Sequence, residues 1–283
     1  MSSDLENEYF CDGLAEELLN ALAKIDDLKV AARTSAFSFK GRNANISEIG
    51  KALNVNSILE GSVRRAGNQL RITVQLVNTS DGYHLWSERY DREMIGIFDL
   101  QDEISLAIID ALKVKLLGEE KADLLKRYTD NPQAYELYLK GRYFYNKYSP
   151  EGFQKAIEFF QRAIEIDPEY ASAYAGIGFC YGTLFYFGIV APHEIVPKWR
   201  ASINKALEVD ASLADAYLSR ASIYFYYDWD FAKAERDYQR AIELNPNSPD
   251  ARWRYGHFLA LLKRFDEAIS EGERALELDP LSI

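Results

Sequence analysis

The side chains able to do chemistry are few in this chain, and their spacing does not bring them together. Three histidines, His84, His193 and His257, share no metal-ligand spacing, and the two cysteines, Cys11 and Cys180, stand alone in different halves, so no zinc pattern forms. Gly61-Ser62 and the glycines Gly176, Gly178 and Gly182 match no phosphate-binding fingerprint, because no Gly-Lys-Ser/Thr follows and no strand leads into them. There is no nucleophile elbow and no kinase signature. Asp228 and Asp230 are close in sequence, but neighbouring acids in a charged protein are ordinarily solvated loop residues. Arg64, Arg65, Arg71, Lys40 and Arg42 form the one basic concentration, and they read as the wet face of a hairpin. The expectation is no catalytic residue, no metal and no cofactor.

What remains is aromatic surface. Of the 38 aromatic residues in 283, only eight precede residue 117, so the two halves are built on different plans. Net charge is −11 and is shared almost evenly between the halves. Such a field repels phosphate backbones and anionic membrane surfaces, so nucleic acid is excluded as the expected partner. Residues Tyr170 to Pro192 carry no charge over 23 positions, the length of a membrane span. Four glycines thin that run and its tyrosines carry polar hydroxyls, so no membrane insertion is expected. No basic, apolar leader follows Met1, and the sequons at Asn45 and Asn78 have no meaning without one.

The elements that must position these residues differ between the halves. In the first, Leu14, Leu18, Ala21, Leu22 and Ile25 predict a helix over Asp12 to Ile25. Leu28 to Arg33 predicts a short strand and Ile46 to Leu53 a short helix. Leu70 to Val77 alternates apolar and polar residues with period two; Ala66-Gly67-Asn68 joins it to Ile58–Arg64, and Asp81-Gly82 leads into Tyr83–Tyr90. Asp99 is placed to cap a closing helix that carries Leu100, Ile104, Ala107, Ile108 and Ala111. The sum is an α+β domain over 1–116, helices on a mixed sheet.

Four runs carry a resemblance: Glu8-Tyr9-Phe10-x-Asp12-Gly13-Leu14-x-Glu16-Glu17-Leu18, Ala32-Arg33-Thr34-Ser35-x-Phe37-x-Phe39-Lys40-Gly41, Leu59-Glu60-Gly61-Ser62-Val63-Arg64-Arg65, and His84-Leu85-Trp86-Ser87-Glu88-Arg89-Tyr90-Asp91-Arg92. In this order they resemble the TolB-like amino-terminal domain of bacterial multidomain regulators. The resemblance implies a neighbouring class III nucleotide cyclase, Ser/Thr kinase or winged-helix domain, and helical repeats after it. It also implies an apolar first strand before Ser3-Asp4, which is missing here. Its absence leaves a sheet edge free for self-association.

The second half repeats. Arg240-Ala241-Ile242-Glu243-Leu244-Asn245-Pro246 and Arg274-Ala275-Leu276-Glu277-Leu278-Asp279-Pro280 nearly coincide 34 residues apart, Arg162 to Pro168 is a third copy, and Lys205 to Asp210 a fourth. This period resembles the tetratricopeptide repeat (TPR). Small residues at Ala156, Ala163, Ala234, Ala241, Ala268 and Ala275 let helices approach, Phe160 and Tyr238 fill between them, and proline ends each pair. Pro168 and Pro246 are 78 apart, ten more than two repeats, which predicts a long aromatic loop over Phe185–Lys198. A helical linker over 117–133 and an all-α TPR solenoid of about four repeats over 134–283 follow. No polar capping helix closes the array, so its end is a second candidate for self-association.

The resemblance also implies a concave groove lined by the first helix of each pair. Its pattern puts Tyr135, Tyr138, Arg142, Tyr145, Phe179, Phe225, Tyr226, Trp253 and His257 there, with packing between helices as the alternative role of each. Only Arg142 and Asn146 could take a terminal carboxylate. The functional expectation is a non-enzymatic regulatory or scaffold protein that binds a protein or peptide. The alternative is the C-terminal regulatory segment of an adenylate or guanylate cyclase or a Ser/Thr kinase. The expected compartment is the cytoplasm, with the periplasm as the alternative.

Overall fold

The computed structural model describes residues 5–25, 28–114, 116, 121–122 and 124–281. They fall into two compact units. The first runs to Arg127 and takes in Asn247–Pro249 and the stretch from Gly272 onward; the second holds Tyr128–Pro246 and Asp250–Glu271. The expected missing first strand and part of the expected linker lie outside the described residues.

In the first unit α1 (Leu5–Leu22) is longer than its predicted core, because Tyr9 and Phe10 extend the apolar stripe of Leu14, Leu18 and Leu22 by a turn. Strands β1 (Ser57–Ala66), β2 (Gln69–Asn78) and β3 (His84–Glu93) form an antiparallel sheet in the order β1-β2-β3. Leu70, Ile72, Val74 and Leu76 on β2 are all buried, as their alternation predicts. Val63, Ile72 and Tyr90 form one buried row across the three strands. Helix α1 lies against β1, and α4 (Ile97–Leu112) against β2 and β3.

Two details depart from expectation. The sheet is antiparallel throughout among the described residues, not mixed, and Leu28–Arg33 is not one of its strands. The backbone there bonds elsewhere: the Ala32 N–H donates to the Leu278 carbonyl at 2.9 Å, and α2 (Arg33–Phe37) begins at once. Asp99 does not cap α4, because a 3₁₀ turn at Met94–Gly96 runs directly into the helix and leaves Asp99 inside its first turn. The short helix α3 (Ile46–Leu53) matches its prediction, with the Ser47 N–H bonded to Asn45 Oδ1 and the Asn45 N–H to Glu48.

The Ala32–Ser35 run has two non-local anchors. Arg33 Nε donates to the buried Glu16 carboxylate at 3.0 Å, with its guanidinium over the Phe37 ring. Ser35, fully buried, donates from Oγ and from its N–H to Asp279 Oδ1 at 2.5 and 3.2 Å, and its Oγ accepts the Leu281 N–H at 2.9 Å. Asn247 adds a third tie by donating to the carbonyls of Ala23 and Ile25. These bonds explain why residues near 247 and after 272 belong to the first unit, whereas the repeat pattern assigned them to the solenoid.

The second unit is a run of helix pairs: α5 (Pro132–Tyr145) with α6 (Pro150–Ile166), α7 (Ala171–Tyr186) with α8 (Pro192–Val209), and α9 (Ala214–Ile223) with α10 (Phe231–Leu244). The fourth pair is α11 (Pro249–Leu261) with α12 (Phe265–Leu278), whose last turns belong to the first unit. The fully buried Phe160 ring lies between Gly141 on α5 and Gly176 on α7, where an added Cβ would come within 2.5 and 2.7 Å of it. Burying such a ring stabilises by roughly 1.5–3 kcal/mol. Trp199 ties the second pair to the third by donating Nε1–H to Ser219 Oγ at 2.7 Å.

The uneven spacing has a structural form. Most of the extra length within the second pair is helix rather than loop: the connection spans only 187–191, and α8 starts at Pro192 and buries Ile195, Val196 and Trp199. Ala206 and Ala241 are 35 apart instead of 34, and the added residue is absorbed in a π-helical turn at Tyr224–Asp228. The connection inside each helix pair holds a residue with positive φ: Tyr148 (53°), Gly188 (63°), Trp229 (58°) and Lys263 (63°).

Candidate functional site: an aromatic channel

The structure separates the nine expected groove residues. Tyr135, Tyr138 and Phe225 are buried and present no surface to a partner. Tyr138 packs against Phe160 and Tyr170 with ring centroids 5.6 and 5.0 Å away, and Phe225 packs against Phe258 at 5.2 Å. For these three the alternative role, packing between helices, is the observed one.

The remaining residues are half-buried or exposed. Arg142 lies with its guanidinium 6.0 Å from the Tyr145 ring centre. Tyr145 neighbours Phe179, with centroids 6.5 Å apart, and its hydroxyl is 3.4 Å from Thr183 Oγ1. Tyr226 bonds His257 through its hydroxyl and Nδ1 at 3.1 Å. Trp253, half exposed, stacks on His257 at 5.8 Å with planes 15° apart.

Three rings that the sequence pattern did not select complete the set. Tyr148, Tyr186 and Phe187 are each more than half exposed. The rings then run without a break from Tyr145 to Tyr148 (6.2 Å), Phe187 (6.1 Å), Tyr186 (5.8 Å), Tyr226 (6.0 Å), His257 (6.3 Å) and Trp253 (5.8 Å). This row crosses all four helix pairs. The available signal was positional: Tyr148, Tyr186 and Phe187 all stand at or just past the end of a first helix, in stretches read as insertion and loop.

One ion pair lies in the row. Arg254 Nε donates to Asp250 Oδ1 at 2.9 Å, both on α11. Their charges act on the phenols of Tyr226 and of Tyr145, three repeats away in sequence. Burial pushes the Tyr145 phenol up to about 12, and it raises Tyr226 as well, so both rings stay neutral. Cys180 is fully buried, and burial lifts its thiol to about 12, which makes it inert. Among the described residues no cluster of three or more His, Cys, Asp or Glu is arranged to hold a metal, and no helix is long and apolar enough to cross a membrane.

Comparison with known proteins places these features. The chain is 33% identical over 268 residues to "Putative adenylate cyclase 3" of Rhizobium meliloti, covering 95% of this chain and 40% of that protein. It is 23% identical over 249 residues to the transcriptional regulator HilA of Salmonella typhimurium, covering 83% of this chain and 42% of that protein. The chain thus spans about two fifths of these relatives' length. Among solved structures, a thermophilic TPR protein of Thermus thermophilus matches at 20% identity over 67% of this chain and 89% of that one, TM-score 0.46. The first TPR of Spaghetti (RPAP3), bound to an HSP90 peptide, matches at 21% identity over 49% and 99%, TM-score 0.38. Family profiles described as tetratricopeptide repeat match residues 153–170 and 220–283. With its paired helices and repeated alanines, the helical part of this chain is a solenoid of tetratricopeptide repeats.

Proposed function

We propose that this chain is a non-enzymatic regulatory segment whose aromatic channel captures an extended segment of a protein or peptide. The carrying observation is the unbroken row of rings from Tyr145 to Trp253 across four repeats. Aromatic side chains supply large contact area at low entropic cost, and several here hold exposed faces. The test is a selection of displayed random peptides on the chain. Peptides whose affinity falls at least about tenfold in both Tyr226→Ala and Trp253→Ala support the reading; selected peptides indifferent to both substitutions refute it.

A second reading concerns context. The first unit, with its TolB-like motifs, and the solenoid together serve as the regulatory part of a longer polypeptide whose catalytic domain is a nucleotide cyclase. The similarity along 95% of this chain to two fifths of a protein named as an adenylate cyclase supports it. Its test is cyclase activity of the natural polypeptide with and without these residues; an unchanged rate and an unchanged response to effectors exclude it. Cytoplasmic placement accompanies this reading, and fractionation checks it.

A further inference from the structure

The antiparallel sheet of the first unit has two outer edges, and they are guarded unequally. The β3 edge carries exposed Glu88, Arg89, Asp91, Arg92 and Glu93, and its ladder slips at Leu76/Val77, features that deter a further strand. Strand β1 has no proline, no lysine and no register break, and among the described residues no strand lies outside it. Ala66 pairs with Gln69 across the two-residue turn Gly67-Asn68, so Ala66, Arg64, Ser62 and Glu60 bond β2 through their backbones. Arg65, Val63, Gly61 and Leu59 point theirs away from β2. The Val63 N–H is turned to the Cys11 thiol, a weak acceptor. Gly61 and Ser62, at the middle of this edge, are exposed.

The charges of β1 are also unanswered within the chain. Arg64 lies directly opposite Arg71, a like pair that costs stability, and of the two only Arg71 is relieved, by Asp91 at 2.6 Å. Arg64 and Glu60 are both exposed, and neither makes a hydrogen bond or ion pair among the described residues. We propose that β1 of a second copy of this chain occupies the edge, running antiparallel about a two-fold axis at Ser62. Among the registers that match outward backbone groups to one another, only this one sets Glu60 against the partner's Arg64 on both sides of the axis. Moving the axis to Gly61 or Val63 loses both ion pairs, and moving it to Glu60 or Arg64 sets like charges face to face. With the axis at Ser62, Gly61 meets the partner's Val63 and Leu59 the partner's Arg65, for about eight backbone hydrogen bonds. The Val63 N–H then exchanges the thiol for a carbonyl, and the two sheets become one.

The experiment is sedimentation velocity of the full chain from about 1 to 100 µM. Expected is a monomer–dimer equilibrium in which dimer predominates at about 100 µM and is weakened by 0.5 M salt. Glu60→Arg and Arg64→Glu each set like charges across the axis and should weaken the dimer at least about fivefold; the double variant exchanges the two charges and should restore it. Both side chains are exposed, so circular dichroism should show each variant folded. In a Cys11→Ala background, Ser62→Cys puts two thiols side by side at the axis and should yield a covalent dimer on mild oxidation. Ser87→Cys, on β3, should not. A chain monomeric at about 100 µM, a dimer indifferent to the single charge reversals, or a double variant as weak as the singles overturns the proposal. Cross-linking of Ser87→Cys as readily as Ser62→Cys overturns it too.

Discussion

Ser35→Ala tests how the end of the last helix is held. Ser35 is fully buried, and its hydroxyl donates to the Asp279 carboxylate at 2.5 Å while accepting the Leu281 N–H at 2.9 Å. Alanine removes a hydrogen bond to a charged group, worth roughly 1.5–3 kcal/mol, and leaves Asp279, itself buried, with only the Ser35 N–H at 3.2 Å. The Leu281 N–H loses its acceptor too, but Leu281 is partly exposed and water can replace it. The expected cost is about 2–3 kcal/mol, or a fall of about 5–10 °C in Tm for a chain of this size. Asp279→Asn keeps an acceptor oxygen and loses only the charge, so about half that cost is expected. Ser80→Ala, on an exposed turn, should stay within about 0.5 kcal/mol. The assay is urea unfolding followed by circular dichroism, with thermal melts in parallel. A Ser35→Ala variant within about 0.5 kcal/mol of the parent would refute the claim that this hydroxyl anchors the helix end.

Three further outcomes follow from the same geometry. Gly176→Ala drives a methyl to 2.7 Å from the Phe160 ring and should destabilise the solenoid by about 1–3 kcal/mol in a thermal melt, whereas an alanine at Gly272, where an added Cβ meets nothing within 4 Å, should be tolerated. Lys263→Gly removes a side chain from a left-handed position (φ 63°) at a cost of about 0.5–1 kcal/mol in unfolded-chain entropy, against a relief of about 1–2, so a small rise in Tm is expected. Tyr145 holds its proton to about 12 when folded and to about 10 when unfolded, so its contribution is complete below pH 10 and is lost between pH 10 and 12; urea midpoints should fall across that window, and Tyr145→Phe should flatten the fall.

The helical repeat was legible because its signals are local and periodic. Ala163, Ala206, Ala241 and Ala275 are all buried, as residues at a helix crossing must be. The channel was only half legible. Tyr226 and Phe225 are adjacent in sequence, yet one lines the row and the other fills the core, and a pattern counted in repeats of 34 cannot choose between them across an added residue. Tyr148, Tyr186 and Phe187 escaped because they stand in stretches that depart from the period. The misassigned strand at Leu28–Arg33 has a different cause: its apolar residues satisfy a strand pattern, but Ala32 finds its backbone partner at Leu278, 246 residues away, where no local rule reaches.

The wide turn at Tyr224–Asp228 acts as an angular adjustment. One residue of an α-helix corresponds to about 100° of rotation about its axis. Taking up the added residue within a single turn lets α9 keep its buried face in register with the second repeat while the ring at 226 swings into line with Tyr186 and His257. Removing one residue there would restore a regular period of 34 and put the third repeat out of phase with its neighbours, breaking the row at its middle. The continuity of the rings at this point thus depends on an irregularity that a consensus design would erase.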